Sequence, residues 1–181
     1  LSRRQRQMCI RDSNDTVCIS NLNRQIHATQ ATVESVKVEA MKARVLSINP
    51  NCNVEAKQEF ITADNIQEII PKDIDYVVDA IDTVTSKLAL AEYCYKNDIK
   101  IIASMGTGNK IDPTQFRVTD VFKTKVCPLA KVMRAELRKR GVKKLKVVYS
   151  EEIPMIPNKG RAVPSKKRQT PGSISFVPPV A

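Results

Sequence analysis

The strongest restriction on how this chain folds lies between residues 73 and 106. There "DIDYVVDAID", "SKLALAEYCYKND" and "IKIIASMG" follow one another with almost no intervening chain. A β-branched apolar run, an amphipathic thirteen-residue stretch and a second apolar run form the pattern of strand, crossover helix and parallel strand. The continuous Tyr76-Val77-Val78 core predicts a strand buried on both faces. The same alternation extends in both directions. "DTVCIS" (15–20) reads as a strand, and "SVKVEAMKARVLSIN" (35–49) as a helix with Val38, Met41, Val45 and Ile48 on one face, stopped at Asn49-Pro50. "NVEAKQEF" alternates like a strand, and "TADNIQEII" reads as a short helix with Thr62 or Asp64 available as its cap. After Gly108, "TQFRVTD", "CPLAKVMRAELRKR" and "KLKVVYS" predict strand, helix and strand, with Pro128 in the helix's first turn and Gly141 just past its end. The predicted class is α/β, a Rossmann-like doubly wound fold around a largely parallel sheet.

Size and composition fit one such domain, since 181 residues with 42% apolar content can bury a core. No apolar run approaches the ~18 residues of a membrane span, and no charged-then-apolar leader opens the chain, so a cytoplasmic protein that binds no membrane is expected. Cys9, Cys18, Cys52, Cys94 and Cys127 contain no CxxC pair, which argues against a local zinc site and for reduced thiols. The net charge of +11 is unevenly placed: residues 117–169 hold 16 Lys or Arg against 4 Asp or Glu. Such a segment suits a polyanion such as RNA, and it equally suits a solvated cationic face. The closing stretch from Glu151 contains six of the ten prolines, which predicts a basic loop rather than a helix.

Ligands on doubly wound sheets bind beyond the carboxyl ends of the strands, where the polar clusters of this chain fall. Asn21, Arg24 and Gln25 follow the first predicted strand, Asp79 and Asp82 follow "YVV", and Gly106 and Gly108 follow "IIAS". An arginine fork beside two amides grips phosphate oxygens. Lys37 falls near the first turn of its helix, where the macrodipole disfavours a cation unless an anion is bound. Asp82 offers a hard oxygen for magnesium on a triphosphate. Each has a structural use as well: Arg24 in a surface ion pair, Asn21 and Gln25 capping a turn, Lys37 solvated, Asp82 capping the next helix. Their joint placement on successive strand ends favours the phosphate site. His27 is expected to be a scaffold residue, and the Gly106–Gly108 turn reads either as a ligand wrap or as a plain turn.

"DTVCISNLNRQIHA", the lysine of "SVKVEAMKARVLSINP" and "DYVVDAIDTV" resemble the central motifs of the ubiquitin-activating-enzyme-like (ThiF-type) adenylating superfamily. Within it, "CYKNDIKIIASMGTGNKIDPTQFRVTDVFKTKVCPLAKVMRAELRKRGVKKLKVVYS" and "PGSISFVPPVA" are most similar to the bacterial tRNA threonylcarbamoyladenosine dehydratases. The resemblance implies that Asn21, Arg24, Gln25 and Lys37 bind ATP, that Asp82 holds magnesium, and that Asp82 with Arg24 supports catalysis. The implied reaction adenylates a carboxylate on the modified adenosine of a tRNA anticodon loop and closes a ring with net loss of water. A homodimer and sulfur-transfer partners are implied in the same way.

The chain also departs from that pattern. No glycine precedes Gly106, where the family places a GxGxxG-type loop before the first matched strand. Ser13 stands at the first acid of a DxD-like ribose motif, leaving Asp15. We therefore expect an incomplete fold lacking the first strand, glycine-rich loop and C-terminal helix, with residues 1–13 foreign to the domain and 14–181 a partial nucleotide-binding fold. Two other functions fit part of the pattern. One is a sulfur-carrier or ubiquitin-like protein adenylyltransferase, although the paired CxxC motifs common there are absent. The other is a non-catalytic RNA- or partner-binding module with a decayed nucleotide site.

Overall fold

The structure is a computed structural model that describes residues 6–10, 16–156, 172 and 177. Among the described residues, six strands and four α-helices follow in the order β1 (Arg6–Ile10), α1 (Lys37–Ile48), β2 (Asn53–Lys57), α2 (Ile66–Ile69), β3 (Val77–Asp79), α3 (Val84–Lys96), β4 (Ile101–Ser104), β5 (Phe116–Asp120), α4 (Pro128–Lys139) and β6 (Lys146–Ser150). β1 and β2 form a parallel pair with Arg6 opposite Asn53. The main sheet has the order β3-β4-β6-β5. Its first three strands are parallel, and β5 returns antiparallel to β6 with Asp120 opposite Lys146. The α/β, largely parallel architecture is the one the alternating pattern predicts.

Two apolar centres flank the main sheet. Leu88 and Ala91 of α3, Ala130, Met133 and Leu137 of α4, and Ala103, Val147 and Tyr149 of the strands pack in one. Ile66 and Ile69 of α2, Val77 of β3, and Leu90, Tyr93 and Cys94 of α3 pack in the other. α3 is buried on two sides because it serves both. Its polar tethers also face inward: the Ser86 hydroxyl donates to the Ile61 carbonyl at 2.6 Å and the Tyr93 hydroxyl to the Ile70 carbonyl at 2.9 Å. α4 starts on Pro128, ends at Lys139 with Arg140 as its cap, and is followed by Gly141, whose φ of +72° is the left-handed conformation that suits glycine after a helix.

Several expectations need correction. "DTVCIS" is not a strand. Thr16 forms a single antiparallel bridge with Val36, and Ile19–Asn21 turn into a 3-10 helix. The cause is local, since the Asn21 side-chain oxygen takes the Cys18 N–H at 3.1 Å and removes it from any ladder. β3 is not buried on both faces: Val77 and Asp79 are buried, but Val78 is 75% exposed and Tyr76 40%, because among the described residues β3 is an edge strand with only one face covered. Ile48, at the end of the predicted α1 face, is also exposed. The cap of α2 is Asn65 rather than Thr62 or Asp64. Asn65 Oδ1 instead organises the preceding turn, accepting from the Thr62 N–H at 2.8 Å.

β1 falls within the first thirteen residues, where the sequence pattern predicts no element. The Ser13 and Asp15 positions and the proline-rich basic stretch 157–171 lie outside the described residues. On either side of that stretch the chain is tied to Asn109, a left-handed residue with φ of 59°. The Asn109 carbonyl accepts from the Met155 N–H at 2.8 Å, its N–H donates to the Gly172 carbonyl at 2.8 Å, and its side-chain oxygen accepts from the Gly172 N–H at 2.7 Å.

Candidate functional site

Four of the five site residues predicted from sequence belong to one local unit, residues 16–40. The Thr16–Val36 bridge closes it, supported by Val17 N–H to the Ser35 carbonyl at 2.9 Å and Glu34 N–H to the Val17 carbonyl at 2.8 Å. Val17, Ala28 and Ala40 pack beneath, with Leu22 against them. This small core presses the turn that carries Asn21, Arg24 and Gln25 onto the start of α1, where Lys37 is the first helical residue.

Within the unit, Asn21 is buried and its side-chain oxygen is used by the turn, so its capping role is realised. Its amide N–H2 is the part left to meet a ligand. Among the described residues Arg24 pairs with no acid. One guanidinium nitrogen donates to the Ser20 carbonyl at 2.6 Å and to Asn23 Oδ1 at 3.1 Å, which fixes the direction of the fork. Gln25 Oε1 is buried with no hydrogen-bond partner among the described residues. Such an orphan costs about 1–3 kcal/mol, a cost that a ligand hydroxyl, or an anionic oxygen with the amide turned over, would offset. Lys37 is 5% exposed and therefore is not a solvated surface lysine. His27 is buried in the same turn.

The fifth residue, Asp82, comes from the β3–α3 turn and is exposed. The N-cap of α3 is Thr83, so Asp82 is not that helix's cap. Among the described residues no hydrogen bond or ion pair links Asp82 to the 16–40 unit. No group of three or more His, Cys, Asp or Glu among them is arranged to hold a metal. A single exposed carboxylate suits magnesium when phosphate oxygens and water complete the octahedron, and these residues fit that mode alone.

Beneath Asp82 lies an ion pair that sequence reasoning did not single out. Lys87 Nζ meets Asp79 Oδ2 at 2.8 Å with both side chains wholly buried. The same ammonium donates to the Ser104 carbonyl at 3.0 Å, and Asp79 Oδ1 accepts from the Ile81 N–H at 2.9 Å. The carboxyl ends of β3 and β4 are thereby locked together, and the turn bearing Asp82 is fixed from below. Burial pushes the Lys87 pKa down, while Asp79, and more weakly Asp82, hold the charge in place. A signal was available, because Lys87 shares the helical stripe of Val84, Leu88, Ala91 and Cys94. A lysine on a buried stripe requires an acid.

A second missed tie lies at the loop after β4. Buried Lys110 donates to the carbonyls of Ser150 at 3.1 Å and Glu152 at 2.8 Å, and the Glu152 carboxylate accepts from the N–H groups of Ile111 and Asp112. Desolvation lowers the Lys110 pKa against the pull of Cys127 and Glu152. Gly106 in this loop is not sterically compelled, since a Cβ there would meet Leu129 at an ordinary 3.8 Å. Burial pushes the Cys94 thiol up to about 12, which makes it an inert core residue.

This is a polar, cation-bearing turn beside a helix start, with a carboxylate from the next strand end. The sequence pattern of the ThiF family matches residues 7–148, which includes all five site residues. The chain belongs to the ThiF family. This ThiF-family chain is 43% identical over 176 residues to the tRNA threonylcarbamoyladenosine dehydratase of Bacillus subtilis, covering 92% of the chain and 69% of that protein. Among solved structures it resembles the E. coli tRNA N6-threonylcarbamoyladenosine dehydratase in complex with AMP, with a TM-score of 0.85, 35% identity and coverage of 97% of this chain and 70% of that one. The same E. coli protein in complex with ATP gives a TM-score of 0.78 at 37% identity, covering 84% and 65%. The chain thus spans about two thirds of the length of the proteins it matches.

Proposed function

We propose that the chain is the central part of an ATP-dependent enzyme that adenylates the carboxylate of threonylcarbamoyladenosine in tRNA and cyclises it with net dehydration. The observation that carries this reading is the 16–40 unit, which places a directed arginine, a buried lysine and two amides around one turn. The similarity to dehydratases described with AMP and with ATP supports the nucleotide.

In this reading Arg24 and Lys37 neutralise the triphosphate, while the amides of Asn21 and Gln25 fix its orientation. Asp82 would hold magnesium, which when bound would supply further charge neutralisation on the phosphates. The tRNA carboxylate is already ionised and needs no base. It attacks the α-phosphorus, the bond to the β-phosphate oxygen breaks, and pyrophosphate leaves. A nucleophile within the same modification then takes the acyl carbon and AMP departs, so the ring closes with loss of the elements of water. The Lys87–Asp79 pair touches no reactant and positions Asp82.

The described elements offer the phosphates the side chains of Asn21, Arg24, Gln25 and Lys37. Residues 117–169 serve as the RNA-facing segment, and a homodimer is the expected assembly. No helix among the described residues is long and apolar enough to cross a membrane.

ATP–pyrophosphate exchange tests the reading. Exchange stimulated by tRNA carrying the modification is the expected result. Stimulation by a sulfur-carrier protein and not by tRNA would assign the chain to the competing adenylyltransferase class.

A further inference from the structure

The cations of residues 117–156 are not spread evenly over the surface. On α4, Lys131, Arg134 and Arg138 recur at i, i+3 and i+7 and so share one helical face, spanning about 10 Å. Glu136, the only acid of α4, lies on the opposite side of the helix and is held by Lys139 at 2.6 Å. The 3-10 turn Val121–Lys123 and the residues after it run alongside the cationic face. Arg138 stacks over the Phe122 ring at 5.3 Å. Arg134 donates to the Thr124 carbonyl at 3.0 Å and also to its hydroxyl. These two contacts pin the strap to the helix and place exposed Lys123 and Lys125 on either side of buried Thr124.

Five cations therefore form one stripe. On α4, Lys131, Arg134 and Arg138 follow one another at about 4.5–6 Å along the axis, inside the ~8 Å Debye length, so they act together. The acid on the strap, Asp120, has its oxygens occupied by the N–H groups of Phe122 and Leu145, so it is turned into the backbone. The stripe also has a direction. Its Arg138 end lies by the turn where the Val121 N–H meets the Leu145 carbonyl, at the amino end of β6. Its Lys131 end adjoins Leu129, which faces Gly106 beyond the carboxyl end of β4. That edge of the sheet also carries Asp82.

We propose that the Lys123/Lys125/Lys131/Arg134/Arg138 stripe is the docking surface for the phosphate backbone of an RNA stem, seated along α4 so that the stem's loop end reaches the strand carboxyl ends. This rests on the RNA-modifying function proposed above and assigns its substrate a surface. The stripe combines five cations, two of them arginines held in fixed orientation, that outnumber the Glu151 carboxylate bonded to the Tyr149 hydroxyl beside Lys125; that excess of positive charge matches a repeating array of phosphates. It is built on α4 and the strap that precedes it.

The test is tRNA binding by the full chain, followed by fluorescence anisotropy across a salt series. The variant Lys123→Ala/Lys125→Ala/Lys131→Ala removes three exposed side chains and leaves both arginine contacts intact. Binding is expected to weaken about tenfold or more, and the slope of log K against log salt to fall by about 2–3. The matching triple Lys→Arg variant should restore both, which separates charge from damage to the fold. A control, Lys72→Ala/Lys100→Ala, on exposed residues of other elements, should bind as the parent does.

Unchanged affinity and slope in the triple alanine variant would overturn the surface while leaving the RNA-modifying function standing. Failure of the unaltered chain to bind tRNA at low salt would overturn both. Loss of binding to polyglutamate with tRNA binding retained would assign the stripe to an acidic protein partner instead.

Discussion

Replacing Lys87 by methionine removes one half of a wholly buried ion pair and leaves the Asp79 carboxylate without its counter-charge. Severing such a pair costs about 3–5 kcal/mol, because the remaining charge must stay desolvated or take up a proton. The Ser104 carbonyl loses its donor in the same step. For a chain of this size the melting temperature should fall by roughly 6–20 °C, read by circular dichroism in heat and in urea. The informative comparison is Asp79→Asn/Lys87→Met. Asparagine keeps an acceptor for the Ile81 N–H while deleting the charge, so the double variant should recover most of the loss. The pH dependence adds a second check. The folded Lys87 pKa lies below its ordinary 10.5, so between those values the unfolded chain holds more protons and this group's contribution to stability rises with pH. Lys87→Met should lack that rise. A single variant that melts within a degree or two of the parent, or a double variant no better than the single, would refute the reasoning.

Other perturbations should separate site from scaffold. Asp82→Ala alters an exposed side chain, so melting should stay within about 0.5 kcal/mol of the parent while tRNA-stimulated pyrophosphate exchange falls at least tenfold; an equal loss of stability would make Asp82 structural. Native-state alkylation at mildly alkaline pH, mapped by mass spectrometry, should modify exposed Cys18 and spare Cys94, whose buried thiol stays protonated; early labelling of Cys94 would contradict the packing of α3. Hydrogen bonds from Lys96 and Arg140 hold the Glu92 carboxyl below its ordinary 4.5, so its contribution is full above that value and lost as pH falls through the lowered one. Glu92→Gln should flatten the acid limb of the unfolding curve by less than about 1 kcal/mol, the scale of a partly solvated pair. An unaltered acid limb would mean that the Glu92 link between α3 and α4 carries no weight.

Where burial dictates residue type, the fold is legible in the chain. α3, β4, α4 and β6 fall where the apolar periodicities place them, because each is held on at least one side by a packed core. The errors arise where local hydrogen bonding or an open edge decides the outcome. Asn21 draws "DTVCIS" out of extended pairing. Val78 looks like core because β-branched runs generally are, yet an edge strand shows it to solvent. "RQMCI" alternates polar and apolar residues too weakly to announce β1, and only pairing with β2 reveals it. The candidate site divides in the same way. Arg24, Gln25 and Lys37 are readable because cations and amides gathered at a predicted helix start are chemically unusual. Lys87 was overlooked because its meaning depends on Asp79, eight residues earlier, and on a carbonyl of the neighbouring strand.

Asn109 gathers both margins of the stretch 156–171 onto one residue, through Met155 on one side and Gly172 on the other. The interval is therefore bracketed like the stem of a lasso, with its ends fixed independently of its contents. Lengthening such an interval adds only about 0.6 kcal/mol of closure entropy per doubling. A graft, an affinity tag or a reporter peptide inserted there should leave the Asn109 contacts in place. A protease cut within it should leave both pieces docked on the same scaffold.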